Sequence, residues 1–279
     1  MMTKEETRAR FAEVVARPEN ELELDRAALL IAAEEYPNLD VERYLEQLDA
    51  FAEIAKARDD PAADSLVRIM RLGDLLFDEL GFRGNAEDYF DARNSFLSDV
   101  IDRRAGIPIT LSVINIEVAR RIGLRLFGVG MPGHFIVKFA DEEQEVLIDP
   151  FNGGRLLSEE KCREIIEELY GGRIKFHPSL LQVVTKRQIL TRMLQNLKGI
   201  YARAGDKHKT LGVIERALLI SPDVAGEICD RGLVYAGMER YAAALADLEE
   251  YLRRAPQAAD AKEIKERIKQ LRQRQAQLN

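Results

Sequence analysis

At 279 residues, 46% of them hydrophobic and 32% charged, the chain has the composition of an ordinary globular protein of one or two domains with a sizeable core. A formal charge of −7 argues against general nucleic-acid binding, which needs a basic face to release counterions. No stretch approaches 18 uninterrupted apolar residues, and the start, Met1–Glu6, lacks an apolar signal core, so no membrane association and a cytoplasmic location are expected.

The first hundred residues read as helices. Thr3 and Glu6 form a capping-box pattern ahead of Phe11, Val14 and Val15. The Ala-rich run from Leu24 to Tyr36 stops at Pro37. After Leu39-Asp40, apolar residues recur at three and four through Val41, Tyr44, Leu45, Leu48, Phe51 and Ile54. Pro61 suits the first turn of a third helix, whose inner stripe would hold Leu66, Ile69, Met70, Leu72, Leu76 and Leu80. Asn94-Ser95 suits the cap of a helix leading to Arg103-Arg104, or else a polar wall beside the cleft described below.

Beyond Ile107 the texture changes. Ile109 to Ile122 is apolar enough for a nearly buried helix, opened by Pro108 and ended by Gly123. Three β-rich runs follow, at 124–130, 135–140 and 145–149. Ser158 then caps an amphipathic helix that runs to Tyr170, before Gly171-Gly172.

From about Leu190 the chain repeats itself. Tyr201-Ala202 recurs as Tyr235-Ala236, Glu215 as Glu249, Leu218 as Leu252 and Pro222 as Pro256, each 34 residues on. That is the period of a tetratricopeptide repeat, a helix–turn–helix unit. A last helix from about Ala259 places Ile264, Ile268 and Leu271 on one face and a row of lysines and arginines on the other. That polar face reads as a solvating cap or as a dock for an acidic partner.

The chemistry concentrates between Gly106 and Gly154. A hairpin turning at Asp141-Glu142 would pair Ala140 with Glu143 and set His134 directly opposite Asp149. An aspartate there fixes the imidazole tautomer, as the orienting member of a catalytic triad does; a structural histidine beside a turn aspartate is the plainer alternative. A helix start, a histidine and an aspartate frame a papain-like cysteine site, yet Pro108-Ile109-Thr110-Leu111-Ser112 offers no thiol. Cys162 and Cys229 lie in amphipathic stretches far from that helix start and read as free buried thiols in a reducing compartment. They and the scattered His134, His177 and His208 show no metal-ligand spacing, so neither metal nor cofactor is expected.

Gly106-Ile107-Pro108-Ile109-Thr110-Leu111-Ser112, Pro132-Gly133-His134-Phe135 and Asp149-Pro150-Phe151-Asn152-Gly153-Gly154 together resemble the bacterial Sir-type invasion-regulator family. Asp91–Leu97 and Ala28–Pro37 fit its N-terminal half. The resemblance implies a transglutaminase-like core followed by tetratricopeptide repeats, and a regulatory role. In the wider superfamily the cysteine stands about fifteen residues ahead of the glycine ending the helix, which here is Pro108.

The expected class is therefore α+β: a helical N-terminal region, a papain- or transglutaminase-like core with a small antiparallel sheet, and a C-terminal α-solenoid. Residues 1–185 would form the core with its helical extension, and 186–279 the repeats with a capping helix. Two functions stand against each other. One is a non-catalytic binding protein, with Asn94, Ser95, Pro108 and Thr110 around a peptide cleft and the repeats recruiting a protein partner. The other is a hydrolase or acyl-transfer enzyme using His134, Asp149 and the hydroxyl of Ser112.

Overall fold

The structure, a computed structural model, describes residues 3–278. The chain divides into two compact units, one up to Met193 and one from Leu194 on.

Helical entry into the first unit follows the local capping chemistry. Helix α1 (Lys4–Ala16) opens on the Thr3/Glu6 capping box, the Thr3 N–H donating to Glu6 Oε2 at 2.7 Å and the Glu6 N–H to Thr3 Oγ1 at 3.1 Å. Helix α2 (Leu24–Glu35) is buried along almost its whole length, which its alanines permit. Asp40 caps α3 (Val41–Lys56), although Ile54 at the end of the expected stripe faces solvent.

The next helix starts later than Pro61 suggests. The Asp64 carboxylate accepts the Leu66 N–H at 2.8 Å and opens α4 (Ser65–Gly73), leaving Pro61 in a preceding turn closed by the Ala63 N–H on the Asp60 carbonyl. Met70, expected inside, is 53% exposed. A wider π-type turn over Asp74–Glu79 shifts the helical phase and buries Leu75, Leu76 and Phe77 together. Phe77 lies against Gly154, where a Cβ would fall 2.5 Å from its ring.

Strand β1 (Arg83–Gly84) pairs in parallel with β2 (Ala105–Gly106), on either side of α5 (Leu97–Arg103). Arg104 ends α5 in the left-handed region, and its guanidinium sits 4.6 Å from the ring centroids of both Phe51 and Phe82. Helix α6 (Pro108–Arg121) is the buried axis of the unit, with every residue from Pro108 to Ala119 inside. It packs on a five-stranded antiparallel sheet of β3 (Phe127–Val129), β4 (Ile136–Ala140), β5 (Glu145–Asp149), β6 (Arg155–Leu157) and β7 (Val183–Val184), in the order β6-β5-β4-β3-β7. Ser158 caps α7 (Glu159–Tyr170), whose Cys162 and Ile166 pack with Val129, Ile136 and Leu147 of the sheet.

The β4–β5 register differs from the sequence expectation by two residues. Ala140 pairs with Glu145 and Val137 with Ile148, because Asp141 Oδ1 accepts the N–H of both Glu143 and Gln144 at 2.9 Å and so builds a four-residue turn. A slip of two keeps each side chain on its original face.

Helix α8 (Lys186–Arg203) begins in the first unit and ends in the second. The second unit continues with α9 (Lys207–Ile220), α10 (Ala225–Gly237), α11 (Tyr241–Arg254) and α12 (Ala261–Leu278). The 34-residue period is visible bond by bond. The Asp206 N–H donates to the Tyr201 carbonyl at 3.0 Å and the Arg240 N–H to the Tyr235 carbonyl at 2.9 Å, while Ser221-to-Ala217 is repeated by Ala255-to-Tyr251. Gly205 and Glu239, also 34 apart, both adopt left-handed φ, +72° and +59°. Ile264, Ile268 and Leu271 of α12 close a core with Leu245, Leu248 and Tyr251, as their spacing predicts.

Candidate functional site

His134 follows a tight turn at Pro132-Gly133. Gly133 takes φ +69°, and a Cβ there would fall 3.0 Å from Leu169 Cδ1. Arg192 holds the segment from behind, its Nη2 donating to the carbonyls of Met131 (3.2 Å) and His134 (3.3 Å). The imidazole Nε2 lies 3.0 Å from Asp149 Oδ2. The paired strands do not set these residues opposite one another; His134 precedes β4 and reaches the end of β5 across the turn.

Asp149 is the most constrained carboxylate of the site. Its Oδ1 accepts the N–H of Phe151 (3.1 Å) and Asn152 (3.3 Å), capping the short turn Pro150–Asn152, and its Oδ2 also accepts Asn152 Nδ2 at 2.7 Å. Burial pushes this carboxyl up, but the hydrogen bond and charge of His134, with the Asn152 donors, outweigh it and hold it below the usual carboxylate range. With Nε2 engaged by Asp149, the nitrogen left for any reacting or binding group is Nδ1.

The turn after Asp149 touches the run-in to α6. Gly84, the β1 partner of Gly106, leaves room for Phe151; a Cβ there would fall 2.5 Å from the Phe151 carbonyl oxygen. Pro108 takes the first position of α6, where its missing N–H costs nothing. The Thr110 hydroxyl folds back, accepting the Ile107 N–H at 3.2 Å and donating to the Asn94 carbonyl at 2.8 Å. Asn94 and Ser95 do not cap α5, whose N-cap position is Phe96 and has no side-chain cap; they belong to a 3-10 turn, Ala92–Ser95, opened by Asp91. The Asn94 side chain is a buried tether instead, donating to the Asp88 carbonyl (2.7 Å) and accepting from Asn85 Nδ2 (3.1 Å) and Arg103 Nη1 (3.3 Å). Asn94, Ser95, Pro108, Thr110 and Ser112 are all buried, and the hydroxyls of Ser95 and Ser112 have no hydrogen-bond partner among the described residues.

Sequence reasoning missed an aromatic ladder beside the histidine. The His134 and Phe151 ring centroids are 6.2 Å apart, Phe151 and Tyr89 6.1 Å, and Tyr89 and Phe90 5.4 Å, all edge-to-face. Tyr89 and Phe90 are 37% and 62% exposed. The signal that could have revealed them is a pair of adjacent aromatics in a polar segment with no helical or strand period.

Neither cysteine approaches this role. Cys162 lies in α7 and Cys229 in α10, and burial, with nearby carboxylates adding to it, pushes both thiols up to about 11.

Residues 42–195 match the transglutaminase-like superfamily. The chain belongs to that superfamily. The transglutaminase-like core is followed at 197–269 by a match to the tetratricopeptide repeat. Over most of its length the chain is similar to bacterial proteins known as UPF0162 protein. That of Xylella fastidiosa strain 9a5c is 37% identical over 238 residues, covering 84% of this chain and 85% of the relative. That of Vibrio cholerae is 30% identical over 198 residues, covering 71% and 73%. Human F-box only protein 21 is 33% identical over 139 residues, which are 47% of this chain and 21% of that protein. Among the described residues no helix is long and apolar enough to cross a membrane.

Proposed function

We propose that this protein is a non-catalytic member of its superfamily: the degenerate cleft beside His134 holds a peptide, and the tetratricopeptide repeats recruit a protein partner in a regulatory role. The observation that carries this reading is Pro108. It stands at the first position of α6, where the superfamily resemblance expects cysteine, and both thiols of the chain are buried elsewhere. A histidine oriented by a carboxylate but lacking a nucleophile can still hydrogen-bond a ligand through Nδ1. The exposed Tyr89 and Phe90, joined to His134 through Phe151, supply the apolar contact a peptide needs. Burial raises the Tyr89 hydroxyl above its ordinary range, so it stays a neutral donor.

The enzyme reading, with Ser112 as nucleophile, has less behind it. The Ser112 hydroxyl is fully buried one turn into α6 and makes no hydrogen bond to His134.

The test uses the full-length chain. A peptide array should show binding that falls at least about tenfold in Tyr89→Ser/Phe90→Ser, while a panel of amide and ester substrates and a fluorophosphonate probe detect no turnover or labelling. Turnover abolished by His134→Ala would overturn the proposal.

A further inference from the structure

A cavity lies at the far end of α6, lined by none of the residues around His134. It has a volume of about 530 Å³, within the range of small-molecule sites. Its Glu117 lies nine residues beyond Pro108, roughly 14 Å along the helix axis at about 1.5 Å per residue. Apolar side chains form most of the wall: Leu24, Ile116, Leu126, Phe127, Val184 and Ile189.

The charges on its edge do not cancel. Glu117 is engaged, its Oε2 accepting from Arg120 Nε (2.8 Å) and Arg121 Nη1 (3.0 Å). Glu19 is engaged as well, its Oε2 meeting Arg187 Nη1 at 3.1 Å. Two cations are left over. Arg125 makes no ion pair among the described residues, and its guanidinium lies 5.7 Å from the Phe127 ring centroid. Lys186 Nζ donates to the Leu22 carbonyl at 2.7 Å, which neutralises nothing. Burial, then the neighbouring Asp25, pushes the Glu117 carboxyl up to about 7, so it opposes an incoming anion with less than a full charge. An apolar interior bounded by two uncompensated cations selects a ligand with a hydrocarbon body and one anionic end; a neutral apolar guest would leave both cations unused, and an amine would be repelled.

We propose that this cavity binds an amphipathic carboxylate, its hydrocarbon body among Ile116, Leu126, Phe127 and Val184 and its carboxylate at Arg125 and Lys186. The probe is decanoate, titrated calorimetrically into the full-length protein below its micellar range, with decylamine and decanol as controls. Decanoate should bind saturably at one site, decanol about tenfold more weakly and decylamine not at all. Arg125→Gln, an exposed position whose melting temperature should not change, should weaken decanoate about tenfold and leave decanol unaffected. Val184→Phe, which fills the cavity, should remove both ligands. His134→Ala should leave binding intact, so failure here and failure of the peptide reading are separate results. Absence of saturable decanoate binding, equal affinity for decylamine, an unaffected Arg125→Gln, or dependence on His134 would each overturn the assignment.

Discussion

His134 Nε2 sits 3.0 Å from Asp149 Oδ2 even though the β4–β5 ladder pairs Val137 with Ile148 and leaves both residues beyond its regular part. The contact is therefore made by two turns. Pro132-Gly133 delivers the histidine, and the capped turn Pro150–Asn152 fixes the carboxylate. Asp149→Asn keeps an acceptor for the Phe151 and Asn152 amides but removes the charge. Because the native carboxyl is held below its ordinary value, its contribution is present above the unfolded pKa near 4 and is lost as pH falls through the lower folded value. Urea unfolding should show the variant about 1–3 kcal/mol less stable at pH 7, with the gap closing toward pH 3.

Glu239 gives a prediction in the opposite direction. It holds φ +59° where the preceding repeat has Gly205 at +72°, and its side chain is exposed. A side chain bearing Cβ pays of order 1 kcal/mol in this region, partly offset by the greater entropy of glycine in the unfolded chain. Glu239→Gly should stabilise the α10–α11 pair by up to about 1 kcal/mol, read as slower amide exchange in those two helices.

What the sequence made legible follows the range of the forces involved. Thr3, Asp40 and Ser158 act on amides within three residues, so the helices they cap can be read locally. The repeat was legible because the same bonds recur at a fixed offset, down to Tyr201 and Tyr235. The turn at Asp141 was misjudged because its length depends on which amides one carboxylate captures, and the alternation of side chains is unchanged by a slip of two. His134 and Asp149 do meet, but through their two turns and not as the directly opposed pair that the expected register implied. Tyr89 and Phe90 were missed because Asn94 holds their loop through the backbone carbonyls of Asp88 and Tyr89, six and five residues away, a tether with no periodic signature. Nor does local sequence reveal the place of Arg104, which lies between Phe51 and Phe82, residues that only tertiary folding brings together.

Glu117 predicts a pH dependence outside the cleft. Burial raises its carboxyl to about 7, while the neighbouring Asp25 is held low, burial there being outweighed by the charge and hydrogen bond of Arg121. The folded protein then binds more protons than the unfolded chain between about pH 4.5 and 7, so stability falls as pH rises through that window and levels off above it. The fall is on the order of 3 kcal/mol at most. Glu117→Gln should flatten this slope in urea unfolding measured at pH 5 and pH 8, and a slope that persists unchanged would place the titrating group elsewhere.

Pro108→Cys tests the assignment of the cleft most directly. The substitution is structurally mild, since an amide at the first helical position has no partner to lose and φ there is already helical, so stability should change by no more than about 1 kcal/mol. A thiol at that point meets the positive end of α6, which favours thiolate, whereas Cys162 and Cys229 are held near 11. At pH 7 the new cysteine should react with iodoacetamide at least about tenfold faster than either native one, as resolved by peptide mapping. Adding His134→Ala should slow that reaction, because a thiol at the superfamily's cysteine position would face His134 Nδ1, which can take up its proton. A new thiol as inert as the native pair, or one indifferent to His134, would mean that Pro108 does not face the histidine and that the missing sulfur has no bearing on what this cleft does.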